Sequence, residues 1–250
     1  MSKTKGTIAV TGASRGIGSA IVRNLAERGY QVACLSRKGQ GIEDMAPSAQ
    51  LATQLKHYTC DVTEEQSIID SLQAAHADSD KLLGLVNNAG IYIPGRSAHY
   101  TTEKFRQVFH TNVEAVFSAC REVYPYLKAE GGGTIVNVGS FYDRLAVAYN
   151  TAYAASKAAV GSLTRSLAIE WAPDQIRVLN VAPGYIATDL NKKERETEAF
   201  MTYLKTNIPV GRAGEPDEVA QLVGTLFDDN IGFLTGETLY IDGGQGTKLA

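Results

Sequence analysis

The sequence predicts an α/β fold, a single doubly wound domain with a parallel sheet flanked by helices. Three observations carry that expectation. Short apolar runs alternate with helix-length amphipathic segments. The first apolar run breaks abruptly into a glycine-rich turn that opens a helix. No internal repeat, low-complexity tract or Pro-rich linker divides the 250 residues, a length that one large α/β domain accommodates.

Composition narrows the function classes. Hydrophobic residues make up 44% of the chain, as in a soluble globular protein with a sizeable core. A net charge of −3 gives no basis for a nucleic-acid or membrane-surface partner. No apolar run reaches the length of a membrane span, and Met1–Lys5 leads into a strand without a signal-peptide-like apolar region. Cys34, Cys60 and Cys120 are dispersed, with no CxxC pair or His/Cys cluster. That pattern points to reduced thiols in a cytoplasmic protein and to no structural metal.

The run Thr7-Ile8-Ala9-Val10 ends in Thr11-Gly12-Ala13-Ser14-Arg15-Gly16-Ile17-Gly18. An amphipathic helix follows to about Arg28, with Ile17, Ile21, Val22 and Leu25 at helical spacing, and Gln31–Ser36 reads as the next strand. Glycines there could simply make a tight turn. Between a strand and a helix, however, they also let backbone approach a diphosphate, which a helix N-terminus attracts. Farther on, Tyr153 and Lys157 stand four residues apart in an Ala-rich run. On a helix they share one face. A nearby ammonium is expected to lower a phenol's pKa from about 10, as acid/base work requires.

The spacing Gly-x-x-x-Gly-x-Gly after Thr11, with Tyr153 and Lys157 downstream, resembles the classical short-chain dehydrogenase/reductase family. The resemblance implies a Rossmann-type sheet of seven parallel strands in the order 3-2-1-4-5-6-7. It also implies nicotinamide-dependent interconversion of a carbonyl and an alcohol. Gly12, Ser14, Arg15, Gly16, Ile17 and Gly18 become the diphosphate turn.

Strand two ends in Ser36-Arg37-Lys38, with no acidic residue to accept from a ribose 2′-OH. Arg15 and Arg37 suit a 2′-phosphate instead, so the expected cofactor is NADP(H). By resemblance, Asp61 reaches the adenine amino group and Val62 packs beside the ring. Asp61 also fits the turn before a helix whose capping box would run from Thr63 to Gln66. Asn88, Ala89 and Gly90 bring backbone to the cofactor ribose. Tyr92 lies in a loop expected to border the substrate mouth.

A long helix is expected from about Thr102 to Lys128, with Asn112 in its middle, where asparagine is a poor helix former. In the family the matching asparagine marks a kink that holds water beside the lysine. The fifth strand, Thr134–Val138, delivers Ser140 at its C-terminal end, thirteen residues before Tyr153, as the family's catalytic serine and tyrosine are spaced. The implied catalytic set is Asn112, Ser140, Tyr153 and Lys157. The loop Phe141–Ala146 is bulkier and more charged than in relatives, and an Asp143–Arg144 surface pair is favoured there.

Pro183, Gly184, Ile186 and Thr188 match the segment beside the nicotinamide. Residues 185–210 form a candidate substrate lid, charged at Lys192–Glu196, with Met201 and Leu204 as inner residues. Ser140, Tyr92, Phe141, Tyr149 and Tyr185 are the expected substrate contacts. Three readings stand at this point: an NADPH-dependent carbonyl reductase, a 3-oxoacyl-thioester reductase, and an NADPH-binding regulator without turnover. By resemblance the partner is a small carbonyl or alcohol substrate, and the assembly is a homotetramer.

Overall fold

The short aliphatic runs form the strands β1 (Thr7–Thr11), β2 (Gln31–Ser36), β3 (Leu55–Thr59), β4 (Leu82–Asn87), β5 (Gly133–Val138), β6 (Ile176–Pro183) and β7 (Thr238–Ile241). The computed structural model describes residues 5–40, 42, 48–188, 196–227 and 231–247. The strands pair in parallel as one seven-stranded sheet, β3-β2-β1-β4-β5-β6-β7, the expected order. Helices α1 (Gly16–Glu27), α2 (Ala49–Ala52), α3 (Glu65–Ala77), α4 (Thr102–Phe109), α5 (Ala115–Ala129), α6 (Thr151–Trp171), α7 (Glu198–Asn207) and α8 (Pro216–Leu226) connect them. None of the described helices is long and apolar enough to cross a membrane.

Side chains alternate along each strand, so the sheet feeds two apolar clusters. Val10, Val86, Val136 and Val181 pack with Ile21 and Leu25 of α1 and Val219 and Val223 of α8. Ala9, Leu85, Ile135 and Val178 pack on the opposite side with Leu72 of α3, Leu127 of α5 and Leu167 of α6. Because β1 lies between β2 and β4, the winding reverses there. That leaves a crevice at the strands' C-terminal ends, where open α/β sheets take their ligands.

A buried polar ladder crosses the sheet below that crevice. Asn87 Nδ2 donates to Asn137 Oδ1 at 2.9 Å, and Asn137 Nδ2 donates to Thr164 Oγ1 at 2.9 Å. It joins β4 and β5 to α6, the helix that carries Tyr153 and Lys157. Asn137→Leu strands the buried groups of Asn87 and Thr164. It is expected to reduce stability by about 1–3 kcal/mol. Urea unfolding checks this, with the midpoint moving and the slope unchanged.

One local expectation takes a definite form and another is revised. The Thr102–Lys128 helix is interrupted by a π-helical turn at His110–Glu114, which contains Asn112. Thr63 does not cap α3: Glu64 takes that position, and the Thr63 hydroxyl donates to Asp61 Oδ1 at 2.8 Å. The short Asx-type turn competes successfully for the Thr63 hydroxyl.

Candidate active site

The glycine turn leaves β1 at the crevice. Gly16 has φ 59°, in the left-handed region that glycine adopts without strain. A Cβ on Gly18 would stand 2.1 Å from the Gly12 carbonyl oxygen, so only glycine permits this close chain crossing. The neighbouring strand end locks the turn. Asn88 Nδ2 donates to the carbonyls of Thr11 and Gly12, both at 3.1 Å, while the N–H groups of Asn88 and Ala89 donate to Thr11 Oγ1 at 3.0 and 3.1 Å. The result is a bare backbone cradle at a helix N-terminus, the shape and polarity that a diphosphate fits. Ile17 faces inward onto the apolar cluster, and Ser14 is partly buried.

Arg15, in the middle of the glycine turn, and Arg37, just after β2, are both exposed, and Ser36 closes β2 as a buried residue. The turn and β2 are joined by Ala13 N–H donating to the Leu35 carbonyl at 3.3 Å. Asp61 Oδ1 accepts from Thr63 N–H and hydroxyl, and those bonds, with Arg37 and His110 nearby, hold its carboxyl below the usual range. Val62 packs onto the second apolar cluster. On the other side, Pro183 ends β6, Gly184 N–H donates to the Ile241 carbonyl at 2.9 Å, and buried Ile186 bridges to Gly214. The Thr188 methyl would lie 3.7 Å from a Cβ on Gly16, which sets this segment against the glycine turn.

Between these walls the structure brings Asn112, Ser140, Tyr153 and Lys157 together. The Ser140 hydroxyl stands beside the Tyr153 phenol and favours its ionised form. Lys157 is buried, its Nζ donating to the Val138 carbonyl at 2.7 Å and lying 5.6 Å from the Tyr153 ring centroid. Asn112 is fully buried. Its Oδ1 accepts from Ile91 N–H at 2.9 Å, and its Nδ2 donates to the Ile91 carbonyl at 3.0 Å and to Ser156 Oγ at 3.1 Å. The π turn thereby clamps the Gly90–Ile91 segment against α6. A Cβ on Gly90 would sit 3.2 Å from Asn112 Oδ1 and 3.7 Å from Lys157 Nζ.

The electrostatics differ from the sequence expectation. Burial pushes the Tyr153 phenol up to about 12, opposed by the Ser140 hydroxyl. Burial also pushes the Lys157 ammonium down to about 8. Desolvation sets the direction of both shifts.

The remaining wall is aromatic. Tyr92 meets the Tyr153 ring edge-on at 5.2 Å between centroids, and Tyr142 does so at 5.8 Å. Tyr142 Oη lies 3.2 Å from Tyr185 Oη, and Tyr185 in turn packs edge-on against Phe200 and Tyr203 of α7. Tyr142, Phe200 and Tyr203 were absent from the expected substrate contacts. The available signal for Tyr142 was its place two residues after Ser140, in the unusually bulky loop.

Four expectations change here. Phe141 is 2% exposed, so it supports Tyr142 and Tyr185 from behind and does not line the cleft. Tyr149, at φ 70°, stands on the rim with Arg96 over its ring. Arg144 pairs with Asp242 at 3.2 Å and lies over the Tyr240 ring, while Asp143 takes the Tyr240 hydroxyl on both carboxylate oxygens. In the segment 185–210, Leu204 is buried with Ile208 and Ala213, but Met201 is 40% exposed. Lys192, Lys193, Glu194 and Arg195 lie outside the described residues.

Comparison with known proteins extends the match along the chain. A family model described as Enoyl-(Acyl carrier protein) reductase matches residues 12–245. A tropinone reductase homolog from Datura stramonium is 36% identical over 245 residues, covering 95% of this chain and 91% of the relative. An acetoacetyl-CoA reductase from Rhizobium meliloti (strain 1021) is 36% identical over 236 residues, covering 94% and 96%. The solved structure of a gluconate 5-dehydrogenase from Burkholderia cenocepacia J2315, in complex with NADP and tartrate, aligns with a TM-score of 0.89 at 28% identity, over 99% of this chain and 97% of that one. Similarity of this extent, running through both the glycine turn and the tyrosine helix, shows that the chain belongs to the classical short-chain dehydrogenase/reductase family of oxidoreductases.

Proposed function

We propose that the protein is an NADPH-dependent oxidoreductase that reversibly reduces a ketone or aldehyde to an alcohol. The observation that carries this reading is the gathering of Ser140, Tyr153 and buried Lys157, whose Nζ lies 5.6 Å from the Tyr153 ring centroid, beside the glycine cradle. The glycine turn at 12–18 would hold the diphosphate, with Ser36, Arg15 and Arg37 at the 2′-phosphate and Asp61 and Val62 at the adenine. Asn88–Gly90 and Lys157 would hold the second ribose, and Pro183–Thr188 the nicotinamide. Bound NADPH supplies the hydride for the carbonyl carbon, and the oxidised cofactor accepts it in the reverse direction.

The protein's part is position, charge and one proton. Ser140 and Tyr153 hold the carbonyl oxygen by their hydroxyls. Since burial raises the phenol to about 12, Tyr153 is protonated at neutral pH. It donates its proton as negative charge develops on the oxygen. Lys157 stabilises the phenolate so formed and passes a proton back toward it. Asn112, by clamping Ile91 and Ser156, holds the segment over Lys157 in place.

Consumption of NADPH and NADH, compared over ketones, β-ketoesters and 3-oxoacyl thioesters, tests this reading. Preference for NADPH with turnover of a free ketone supports it. Turnover confined to thioesters selects the thioester-reductase alternative, and cofactor binding without turnover selects the regulator. The Arg15→Ala and Arg37→Ala variants are each expected to weaken NADPH binding roughly tenfold or more, with NADH binding nearly unchanged, because each removes a charge-assisted phosphate contact. Equal losses for both cofactors would contradict the assignment of these arginines.

A further inference from the structure

We propose that Tyr142 determines which carbonyl compounds the site accepts, selecting a flat or cyclic uncharged substituent over an open-chain one of similar size. The inference rests on the reductase reading and concerns a residue outside the Asn112–Ser140–Tyr153–Lys157 set. Tyr142 is tied to that set at two points. Its backbone N–H donates to Ser140 Oγ at 3.3 Å, and its ring stands at 90° to the Tyr153 ring, 5.8 Å away. Its hydroxyl lies 3.2 Å from that of Tyr185, whose ring packs edge-on against Tyr203 at 5.6 Å between centroids. Gln245 Nε2 donates to Tyr203 Oη at 3.1 Å. These contacts, together with the Phe141 ring, 4.5 Å from that of Tyr142 between centroids, set the ring against α7 and the C-terminal segment.

The result is a rigid corner of Tyr92, Tyr142 and Tyr185 around the reacting hydroxyls. Aromatic pairs favour stacked or edge-on partners, so a flat ring gains contacts in this corner that an alkyl chain does not. An open chain must also give up rotamer freedom to fit. Among the described arginines of this wall, charge points the same way. Arg144 is engaged by Asp242 and the Tyr240 ring, and Arg96 lies over Tyr149 at the rim. Neither is arranged to meet an anionic substituent in the corner.

The test uses the NADPH-loaded protein with acetophenone and 2-octanone, two ketones of equal carbon count. Wild type is expected to favour acetophenone in kcat/KM. Tyr142→Ala should reduce that preference roughly tenfold or more, the range over which shape changes in an apolar pocket act. The change should appear chiefly in KM, with NADPH affinity unchanged by fluorescence titration. Tyr142→Phe keeps the ring and should retain most of the preference; loss of the preference in this variant would place the selection in the hydroxyl and overturn the inference. If Tyr142→Ala fails to fold or to bind NADPH, Tyr142→Leu carries the same comparison at similar bulk. A wild-type preference for 2-octanone, or a Tyr142→Ala or Tyr142→Leu variant with the wild-type ratio, overturns the inference alone. Absence of NADPH-dependent turnover of every carbonyl compound by the wild type overturns the reductase reading and this inference with it.

Discussion

Tyr153→Phe is expected to lower kcat for ketone reduction by about 10²–10⁴-fold, the range general acid catalysis supplies, while leaving NADPH affinity unchanged. The substitution removes one oxygen and little else. The ring remains between Tyr92 and Tyr142, whose edge-on contacts do not involve the hydroxyl. Ser140 loses the phenol oxygen beside it but keeps the bond from Tyr142 N–H. Lys157 keeps the Val138 carbonyl. The measurement is steady-state NADPH oxidation beside a fluorescence titration of NADPH on the same preparation. A variant with kcat near that of the wild type would exclude Tyr153 as the proton donor.

Lys157→Met is expected to lower kcat by roughly 10²-fold or more, as removal of a preorganised charge does in an enclosed site. It should also change how stability depends on pH. The ammonium is pushed by burial from 10.5 down to about 8 in the folded protein. The unfolded chain therefore binds more protons between those two values, and folding stability rises with pH across that window. Below pH about 8 the charged lysine handicaps the fold in full, by about 3 kcal/mol, since each unit corresponds to about 1.4 kcal/mol. The Met variant carries no such handicap and no such rise. Its stability relative to wild type should fall by about 2 kcal/mol between pH 7 and 9.5. Buried cysteines and tyrosines titrate with the opposite sign at alkaline pH, but they are common to both proteins and cancel in the difference. Urea unfolding at the two pH values reads the effect, and a difference independent of pH would show that Lys157 is not desolvated as described.

The parts of the site legible in the sequence are those governed by short spacings. The glycines from Gly12 to Gly18 sit between a strand and a helix, and one crossing of the chain excludes any side chain at Gly18. Tyr153 and Lys157 are one helical turn apart, so their shared face follows from local geometry. Asn112 stood out as a poor helix residue, and the irregularity it marks is the π turn. What escaped the sequence depends on distant partners or on solvation. Arg144 reaches Asp242, 98 positions away, and the nearer Asp143 goes to Tyr240 instead. A 3-10 turn at Phe141–Asp143 sends Phe141 inward and sets Tyr142 against Tyr153, an assignment that composition could not make. The direction of the Tyr153 shift was missed because proximity to Lys157 suggested a Coulombic effect, whereas the depth of burial decides it.

The most direct test of the account is reduction of a ketone that also carries a conjugated carbon–carbon double bond, using NADPH with deuterium at both hydrogen positions of nicotinamide C4. Hydride delivery to a carbonyl held by Ser140 and Tyr153 predicts one deuterium on the carbinol carbon, with the double bond intact. Deuterium on the β-carbon with the carbonyl retained, or NADPH consumed with no deuterium in the product, would contradict it.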